Sequence, residues 1–375
     1  MFGPSYSKRP ARTDRRRSRR LLIALIATGI VSLLAVSASQ AAVPRSFFGL
    51  TAVAPTPADY EGMGASGAGS YRIEISWPAV QAERNGEFNW AGVDQRFRLA
   101  AAEGLRPLPL IFGTPDFFFK KSGLIRPPVK SKLLRREWQQ FVKAVVGRYG
   151  PGGEFWKAEA SLDPALASSE WMIWNEQNGR TFWAPKASPK EYARLLEITR
   201  SAVDTIDPEI ELIVGGMYGY PKNRKSIDAK PFLKKLYKQR GAKALIDGVS
   251  VHPYSPNVAG VKRQANDARK VMDKAGDRSA KLYIGEISWS TEGPPGATGV
   301  TTAKKQATLL RKAYELLLSK RKSWRVESVF WFTWRDAEDE AICSWCAGAG
   351  LVNTEGLYKP AGDAFKDLID REVNP

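Results

Sequence analysis

Two glutamates, each ending an apolar run, carry the residue types needed for acid–base and nucleophilic chemistry. Glu176 ends Trp171-Met-Ile-Trp-Asn-Glu, and Glu286 lies in Leu282-Tyr-Ile-Gly-Glu, 110 positions further on (286 − 176). A carboxyl at the C-terminal end of a barrel strand points into the mouth where active sites of that fold are built. Two such carboxyls can flank one glycosidic bond, so the pair predicts hydrolysis of that bond.

The two carboxyl groups need different roles. Hydrolysis with retention requires one carboxyl that donates a proton to the leaving oxygen and one ionised carboxylate that attacks the anomeric carbon. Glu176, flanked by aromatic and amide side chains, is predicted to be the acid/base. Glu286 is predicted to be the nucleophile, kept charged by hydrogen bonds from Arg72 and Tyr254. This chemistry needs no cofactor and no metal, and none is predicted. The alternative is that each glutamate has only a structural role, with its carboxylate paired to a neighbouring group.

The elements that would position these glutamates are apolar runs of strand length. Their hydrophobicity is continuous rather than alternating, which is typical of parallel strands covered on both faces. Eight runs meet this description: 46–53, 70–77, 105–112, 170–174, 211–217, 246–252, 281–287 and 326–334.

Helical patterns fill most of the intervals between these runs. Ser131 can cap a helix over 132–149, and Ser188 with Glu191 forms a capping-box pattern ahead of a periodic apolar face. Further helices are predicted over 90–103, 231–240, 260–275, 303–320 and 361–371, whereas the short, glycine-rich crossover 55–68 gives no firm helix signal. Strand and helix alternating in this way predict a single (β/α)8 barrel over residues 43–375.

Two motifs resemble those of a known enzyme group. Trp-Asn-Glu-x-Asn at the fourth predicted strand and Gly-Glu-x-x-Trp at the seventh are similar to the motifs of clan A retaining glycoside hydrolases, which include cellulases, β-xylosidases and β-galactosidases. The segment from Ser76 to Asp94 resembles the second-strand loop of family 39-like members. The resemblance covers nearly all of the region after residue 42 and implies a (β/α)8 glycosidase acting on a poly- or oligosaccharide.

The resemblance also implies roles for individual residues. Asn175 would bond the sugar 2-hydroxyl, and Arg72 would hold Glu286. In His252-Pro-Tyr254, the tyrosine would touch the nucleophile. Trp334, ending the eighth strand, would be the platform beneath the reacting sugar.

Further aromatic residues are predicted to line sugar subsites, although strand parity alone does not say which of them point inward. They are Phe117, Trp183, Trp289, Trp331 and Trp345. The chain departs from the family pattern at Gln177, where many relatives have proline. His252 is its only histidine, so the third strand has none.

The start of the chain predicts export. The first twenty residues hold eight basic residues and one aspartate, so they carry +7 of the formal charge of +18. An uncharged apolar stretch of 18 residues, 21–38, follows directly, with the small-residue site Val36-Ser37-Ala38 at its end. Residues 1–42 are therefore predicted to be a cleaved signal peptide or a membrane anchor, and both remain open. Either one places the remainder outside the cytoplasm.

Charge and cysteine content limit other functions. A basic arm next to an apolar run indicates membrane targeting, so no nucleic-acid partner is predicted. The remaining +11 (18 − 7) fits either anionic glycans or a simply solvated surface. Cys343 and Cys346 are the only cysteines, and one histidine cannot complete a four-ligand zinc site with them. A short-range disulfide is preferred to a thioredoxin-like redox pair because the Cys-Ser-Trp-Cys motif lies late in the chain.

Two other kinds of protein remain open from sequence. One is a non-catalytic carbohydrate-binding barrel that kept its aromatic cleft. The other is a structural or adhesive envelope-associated protein, for which the basic surface would be the active feature.

Overall fold

Eight parallel strands close into a barrel in the order of the chain, with the last strand paired to the first. The structure is a computed structural model that describes residues 42–119, 123, 125–294, 297, 299–337 and 345–374. All eight predicted strand segments form strands, and the predicted (β/α)8 fold is confirmed. The strands are β1 (Phe48–Thr51), β2 (Ser70–Ser76), β3 (Arg106–Phe112), β4 (Glu170–Ile173), β5 (Glu211–Tyr218), β6 (Gly248–His252), β7 (Lys281–Ile287) and β8 (Val326–Phe332).

Helices surround the barrel in the intervals between strands. In the described residues they are α1 (Pro57–Ala65), α2 (Trp77–Val80), α3 (Ala91–Ala102), α4 (Lys132–Tyr149), α5 (Glu154–Ala158), α6 (Pro189–Val203), α7 (Ala229–Tyr237), α8 (Val258–Lys274), α9 (Ala303–Trp324) and α10 (Pro360–Val373). Every helix predicted from sequence is present, with ends shifted by a few residues.

Helix α1 is the main addition to the predicted elements. Its signal is the Thr56-Pro-Ala-Asp59 start, where Thr56 accepts from the Asp59 N–H and the Asp59 carboxylate accepts from the Thr56 N–H. Proline at the first helical position supports the same start. The glycines that obscured the helix have a packing reason: a Cβ on Gly62 would lie 2.7 Å from the Trp334 ring. The short crossover is therefore helical despite its glycine content.

Two predicted helix starts are formed by serine caps. Ser131 accepts from the N–H of Leu134, and Ser188 accepts from the N–H of Glu191. The second cap is not the reciprocal box that the sequence suggested, because the Glu191 side chain pairs with Lys130 instead. One half of that capping box is therefore present.

The apolar core has two layers. Inside the barrel a small cluster fills the lumen, formed by Leu108, Leu110, Met172, Ile213, Tyr283 and Phe330. A larger layer packs the outer strand faces against the helices and includes buried residues such as Trp138, Trp171 and Tyr314. Because the lumen is filled, only the strand ends and their loops are left to form a site.

The compact unit begins at Ala42, next to the predicted boundary at residue 43. The predicted export segment, with its apolar stretch 21–38, lies outside the described residues. None of the helices in the described part of the chain combines the length and apolar character needed to cross a bilayer.

Candidate active site

The β5–β6 and β7–β8 pairings depart from regular register near the C-terminal ends of β5 and β7, where the predicted site begins. The β5–β6 register shifts between Val214 and Met217, and the β7–β8 register shifts between Ile284 and Ile287. Bulges next to active sites re-aim side chains. Here the second shift contains Glu286.

Glu176 follows β4 in an unusual backbone conformation. Trp174 and Glu176 have φ values of +72° and +41°, a region that residues other than glycine rarely adopt. The turn is held against β5, because the Glu176 N–H donates to the carbonyl of Gly216 over 2.8 Å. A Cβ on Gly215 would lie 1.8 Å from the Trp174 carbonyl oxygen, so only glycine allows this close approach. The local strain directs the Glu176 carboxyl to the barrel mouth.

Glu286 is buried and both of its carboxylate oxygens are engaged. Arg72 on β2 donates to Oε1, and the Tyr254 hydroxyl donates to Oε2 over 2.7 Å. Burial alone would raise the pKa of Glu286, but the electrostatic interactions with His252 and Arg72 and the Tyr254 hydrogen bond outweigh it and hold the pKa below its ordinary value. Glu286 is therefore ionised in the neutral range, as a nucleophile must be.

His252 lies between the two glutamates. Its Nδ1 is 3.0 Å from Oε1 of Glu176 and 3.4 Å from Oε2 of Glu286. The ring is fully buried, and glycines make room for it: a Cβ on Gly216 would lie 1.8 Å from Nε2, and one on Gly285 would lie 3.0 Å away. The predicted His252–Tyr254 element therefore contacts both carboxyl groups.

The two carboxyl groups face each other across a short gap. One oxygen of Glu176, one oxygen of Glu286 and a ring nitrogen of His252 all lie within 4.8 Å of one another. Such a trio has metal-ligand chemistry, but the Arg72 guanidinium and the Tyr254 hydroxyl already occupy the Glu286 oxygens. Because both Glu286 oxygens are already hydrogen-bonded, the trio is better suited to a substrate than to a metal.

Asn175 lies beside the pair with an unused acceptor. Its side chain is buried, and its Oδ1 has no hydrogen-bond partner among the residues that the structure describes. A buried acceptor without a partner is costly unless something else bonds to it. In contrast, Asn178 is a structural residue, since its amide bonds the Tyr218 and Ile227 carbonyls.

Three predicted subsite tryptophans are packing residues instead. Trp183 is fully buried and its ring packs edge-on against Trp174. Trp289 is 1% exposed and its Nε1 donates to the Ser255 carbonyl. Trp334, predicted to be the sugar platform, is 3% exposed and packs against α1 and Tyr358. None of the three offers a ring face to the cleft, so these assignments are corrected.

Phe332, rather than Trp334, lies where a sugar platform at the end of β8 is expected. Side chains alternate along a strand, and Phe330 lies in the barrel lumen while Trp331 is buried among the outer residues with its Nε1 bonded to the Ala349 carbonyl. Phe332 therefore points into the mouth and is partly exposed. The signal that could have identified it is strand parity, counted from the lumen residue two positions earlier.

Two further residues reach the mouth. Trp345 is partly exposed, and its ring lies edge-on to Tyr254 with centroids 4.9 Å apart. Glu74 shares the strand face of Arg72, with its side chain 47% exposed and an oxygen 3.5 Å from the guanidinium. Sequence reasoning missed Glu74 because it has no motif around it.

A cleft of about 530 Å³ lies over the C-terminal ends of β2 and β3. Its walls include Phe112, Thr114 and Phe117. Of the other aromatic residues predicted to line subsites, Phe117 lines this cleft, Trp345 lies against Tyr254, and Trp331 is buried.

The predicted cysteine pair is only partly described. Cys346 is buried at the base of the loop that carries Trp345, and Cys343 lies outside the described residues. The disulfide remains a prediction.

Comparisons with known structures agree with the barrel fold. No protein-family model and no curated protein matches the chain. Among solved structures, a family 39 glycoside hydrolase from Bacteroides cellulosilyticus WH2 is similar with a TM-score of 0.63 at 18% identity over 87% of this chain. A glucosidase from Croceicoccus marinus gives 0.64 at 17% over 88%. An endo-1,4-β-xylanase from Penicillium canescens gives 0.61 at 16% over 88%. The chain shares the barrel fold of these enzymes.

This chain spans part of some of these enzymes and nearly all of others. It covers 63% of the Bacteroides enzyme and 68% of the Croceicoccus enzyme, but 96% of the Penicillium xylanase. The barrel is therefore the shared part.

Proposed function

We propose that the chain is a retaining glycoside hydrolase that cleaves O-glycosidic bonds of a poly- or oligosaccharide. The observation that carries the proposal is the short gap between the carboxyl oxygens of Glu176 and Glu286, within 4.8 Å. Retaining enzymes place their two carboxyl groups about 5–5.5 Å apart, whereas inverting enzymes leave about 6.5–9.5 Å for a water molecule. The pair therefore favours direct attack by a carboxylate over attack by a bound water.

The first step forms a covalent intermediate. A Glu286 oxygen attacks the anomeric carbon while Glu176 gives its proton to the glycosidic oxygen, so the bond to the leaving sugar breaks and an alcohol departs. Arg72 and Tyr254 hold the attacking carboxylate in its charged form and fix its orientation. One Glu286 oxygen forms the new bond to the anomeric carbon. The carboxylate thereby becomes an ester and loses its negative charge.

The second step releases the enzyme. Glu176, now a carboxylate, takes a proton from a water molecule whose oxygen attacks the same anomeric carbon, and the bond to Glu286 breaks. Glu176 is suited to this exchange because its side chain is 21% exposed, against 10% for Glu286. Two inversions at one carbon restore the original configuration.

Asn175 and Phe332 complete the proposed sugar site. The unpaired Oδ1 of Asn175 would accept from a sugar hydroxyl, which removes the cost of leaving it without a partner. Phe332 would pack against the apolar face of the reacting ring.

Variants of the two glutamates test the assignment on 2,4-dinitrophenyl glycosides of several sugars. Glu286→Gly is expected to lose at least about 10³-fold in kcat. Glu176→Gly is expected to keep a fast first step, because dinitrophenolate leaves without a proton, and then to stall. Added azide should restore turnover in Glu176→Gly and give a glycosyl azide of retained configuration. An active Glu286→Gly protein would show the assignment to be wrong.

We further propose that the enzyme acts outside the cytoplasm. The support is the basic arm followed by the apolar stretch 21–38 in the sequence. Fusing residues 1–42 to a reporter that is active only after export tests this proposal; a reporter retained in the cytoplasm would refute it.

A further inference from the structure

Positive charge collects on one side of the proposed active site. The loops after β4 and β5, residues 177–188 and 219–228, contain five basic residues and one acidic residue, Asp228, for a net charge of +4 (5 − 1). We call the five the basic rim: Arg180, Lys186, Lys222, Arg224 and Lys225. All five are exposed.

The rim is one continuous structure because backbone contacts join the two loops. The Ile227 N–H donates to the Asn178 carbonyl over 2.9 Å, and the Ala187 N–H donates to the Lys225 carbonyl over 2.9 Å. The Arg180 N–H donates to the Ser226 hydroxyl. The first loop also starts at the catalytic residue, since the Gly179 N–H donates to the carbonyl of Glu176. The first of the two loops is therefore tied to the backbone of Glu176.

The rim cations lack ionic partners within the described part of the protein. Across the described residues, none of the five cations forms an ion pair, whereas neighbouring lysines do: Lys130 pairs with Glu191 and Lys230 pairs with Asp267. Clustered like charges without partners repel one another and are relieved by an anion. Exposed charges act over about a Debye length, roughly 8–10 Å. Groups on a substrate that crosses the rim lie within that range.

The loop after β2 has a different charge. The loop after β2, residues 77–90, holds Glu83, Arg84 and Glu87, for a net charge of −1 (1 − 2), and Glu74 projects from β2 into the mouth. Basic loops follow β3, β4 and β5, on the side of the barrel that carries the proton donor. Because Glu176 protonates the leaving oxygen, that side receives the leaving part of the substrate.

A sugar-binding surface accompanies the charge. Tyr220 in the second loop is 47% exposed, one of few large apolar side chains that are, and Arg263 on α8 donates to its hydroxyl over 3.4 Å. An exposed aromatic ring beside guanidinium and ammonium groups suits a sugar that bears an acidic substituent, because the ring packs on C–H groups while the cations bond the acid.

From these observations we infer, on the basis of the proposed function, that the substrate is an anionic glycan whose acidic groups lie on the leaving side of the scissile bond. The shared chemistry is a repeated oxyanion on a sugar chain, whether carboxylate, phosphate or sulfate. Arginine binds all three with paired hydrogen bonds, and lysine binds them as a point charge.

The test uses polymers that differ in charge but not in backbone. The probes are polygalacturonate and hyaluronan, the same polymers with their carboxyl groups reduced to alcohols, a phosphate-bearing teichoic acid, a sulfated dextran, and neutral xylan and galactomannan. Binding is followed by affinity electrophoresis and hydrolysis by the appearance of reducing ends. At least one acidic polymer is expected to bind about tenfold more tightly than its neutral counterpart, and the active arm identifies which oxyanion is recognised.

A matched pair of triple variants locates the effect. Lys222→Gln/Arg224→Gln/Lys225→Gln removes three rim charges, and Lys238→Gln/Arg240→Gln/Lys274→Gln removes three exposed charges at the C-terminal ends of α7 and α8, on the other end of the barrel. The rim triple is expected to raise KM for the acidic polymer about tenfold, with a smaller change in kcat, and to weaken the salt dependence of KM. The distal triple is expected to change KM less than twofold.

Three outcomes overturn the inference while leaving the proposed function intact. They are equal kcat/KM on acidic and carboxyl-reduced polymers, equal effects of the two triples, and rim-dependent binding of duplex DNA or anionic phospholipid vesicles with unchanged glycan kinetics. Rim-dependent binding of an acidic polymer that is never hydrolysed, together with inert dinitrophenyl glycosides, would support the rim and refute the glycosidase.

Discussion

The hydroxyl of Tyr254 donates to Oε2 of Glu286 over 2.7 Å, joining the end of β6 to the end of β7 inside the barrel mouth. This hydrogen bond favours the charged form of the carboxyl, and it acts together with His252 and Arg72 against the effect of burial to keep the pKa of Glu286 below its ordinary value. Burial and the neighbouring carboxylate raise the pKa of Tyr254 itself, so the phenol remains a donor.

Removing the Tyr254 hydroxyl should move the acidic limb of the pH profile. Tyr254→Phe deletes a group that lowers the pKa of Glu286, so that pKa rises and the nucleophile becomes protonated at higher pH. The acidic limb of kcat/KM on a dinitrophenyl glycoside is therefore expected to shift to higher pH, with a loss of about 10- to 100-fold at neutral pH. Tyr237→Phe is the control, since it removes a tyrosine–carboxylate hydrogen bond of 2.8 Å to Asp277 in the helix layer. An unshifted limb in Tyr254→Phe would contradict the assigned role.

Removing Arg72 should cost stability as well as activity. Arg72 and Glu286 are both buried, so Arg72→Met leaves a carboxylate without its cation. The free energy of unfolding is expected to fall by about 3–5 kcal/mol, measured by urea denaturation. Adding Glu286→Leu removes the stranded charge and should recover much of that loss without recovering activity. If the urea midpoint of unfolding is the same for Arg72→Met and the wild type, the Arg72–Glu286 pair does not stabilise the barrel.

The space left by Gly216 should be essential for the position of His252. A Cβ at this position would lie 1.8 Å from Nε2, so Gly216→Ala forces the imidazole away from both glutamates. A loss of about 1–3 kcal/mol of stability and most of the activity is expected. Gly147→Ala in α4 is the control because nothing lies within 4 Å of the new Cβ, and it should add about 0.5–1 kcal/mol. Wild-type activity in Gly216→Ala would show that His252 need not sit there.

Variants of two aromatic residues at the end of β8 should distinguish an effect on substrate binding from an effect on stability. Trp334 is buried, so Trp334→Ala is expected to cost about 3–5 kcal/mol of unfolding free energy. Phe332 points into the mouth, so Phe332→Ala should change thermal stability little and reduce kcat/KM by about tenfold or more through lost stacking. The reverse pattern would return the platform role to Trp334.

Much of the fold follows directly from residue patterns. The strands were identified because buried parallel strands are apolar on both faces, which leaves a continuous signal in a run such as 281–287. The sequence does not predict helix α1, because its residues have poor helix propensity. Its stability comes from one N-cap and from contacts such as that of Gly62 with Trp334. Tertiary packing there outweighs local preference.

The carboxyl pair could be found from sequence because each glutamate stands at the end of a strand with a recognisable neighbourhood. The tryptophans could not be placed, since the same residue type covers a cleft at Trp345 and fills the core at Trp183. The basic rim was also hidden: its members lie in two loops about 40 positions apart, as with Arg180 and Lys222, and only the backbone bonds between those loops bring the charges together.

The most direct test of the central claim is the configuration of the first product formed, followed by proton NMR during cleavage of a responsive substrate. Double displacement by Glu286 and Glu176 predicts that the first anomer to appear has the configuration of the substrate and then mutarotates. Initial appearance of the opposite anomer would contradict the account, because a single inversion requires a water molecule where these carboxyl groups, within 4.8 Å, leave none.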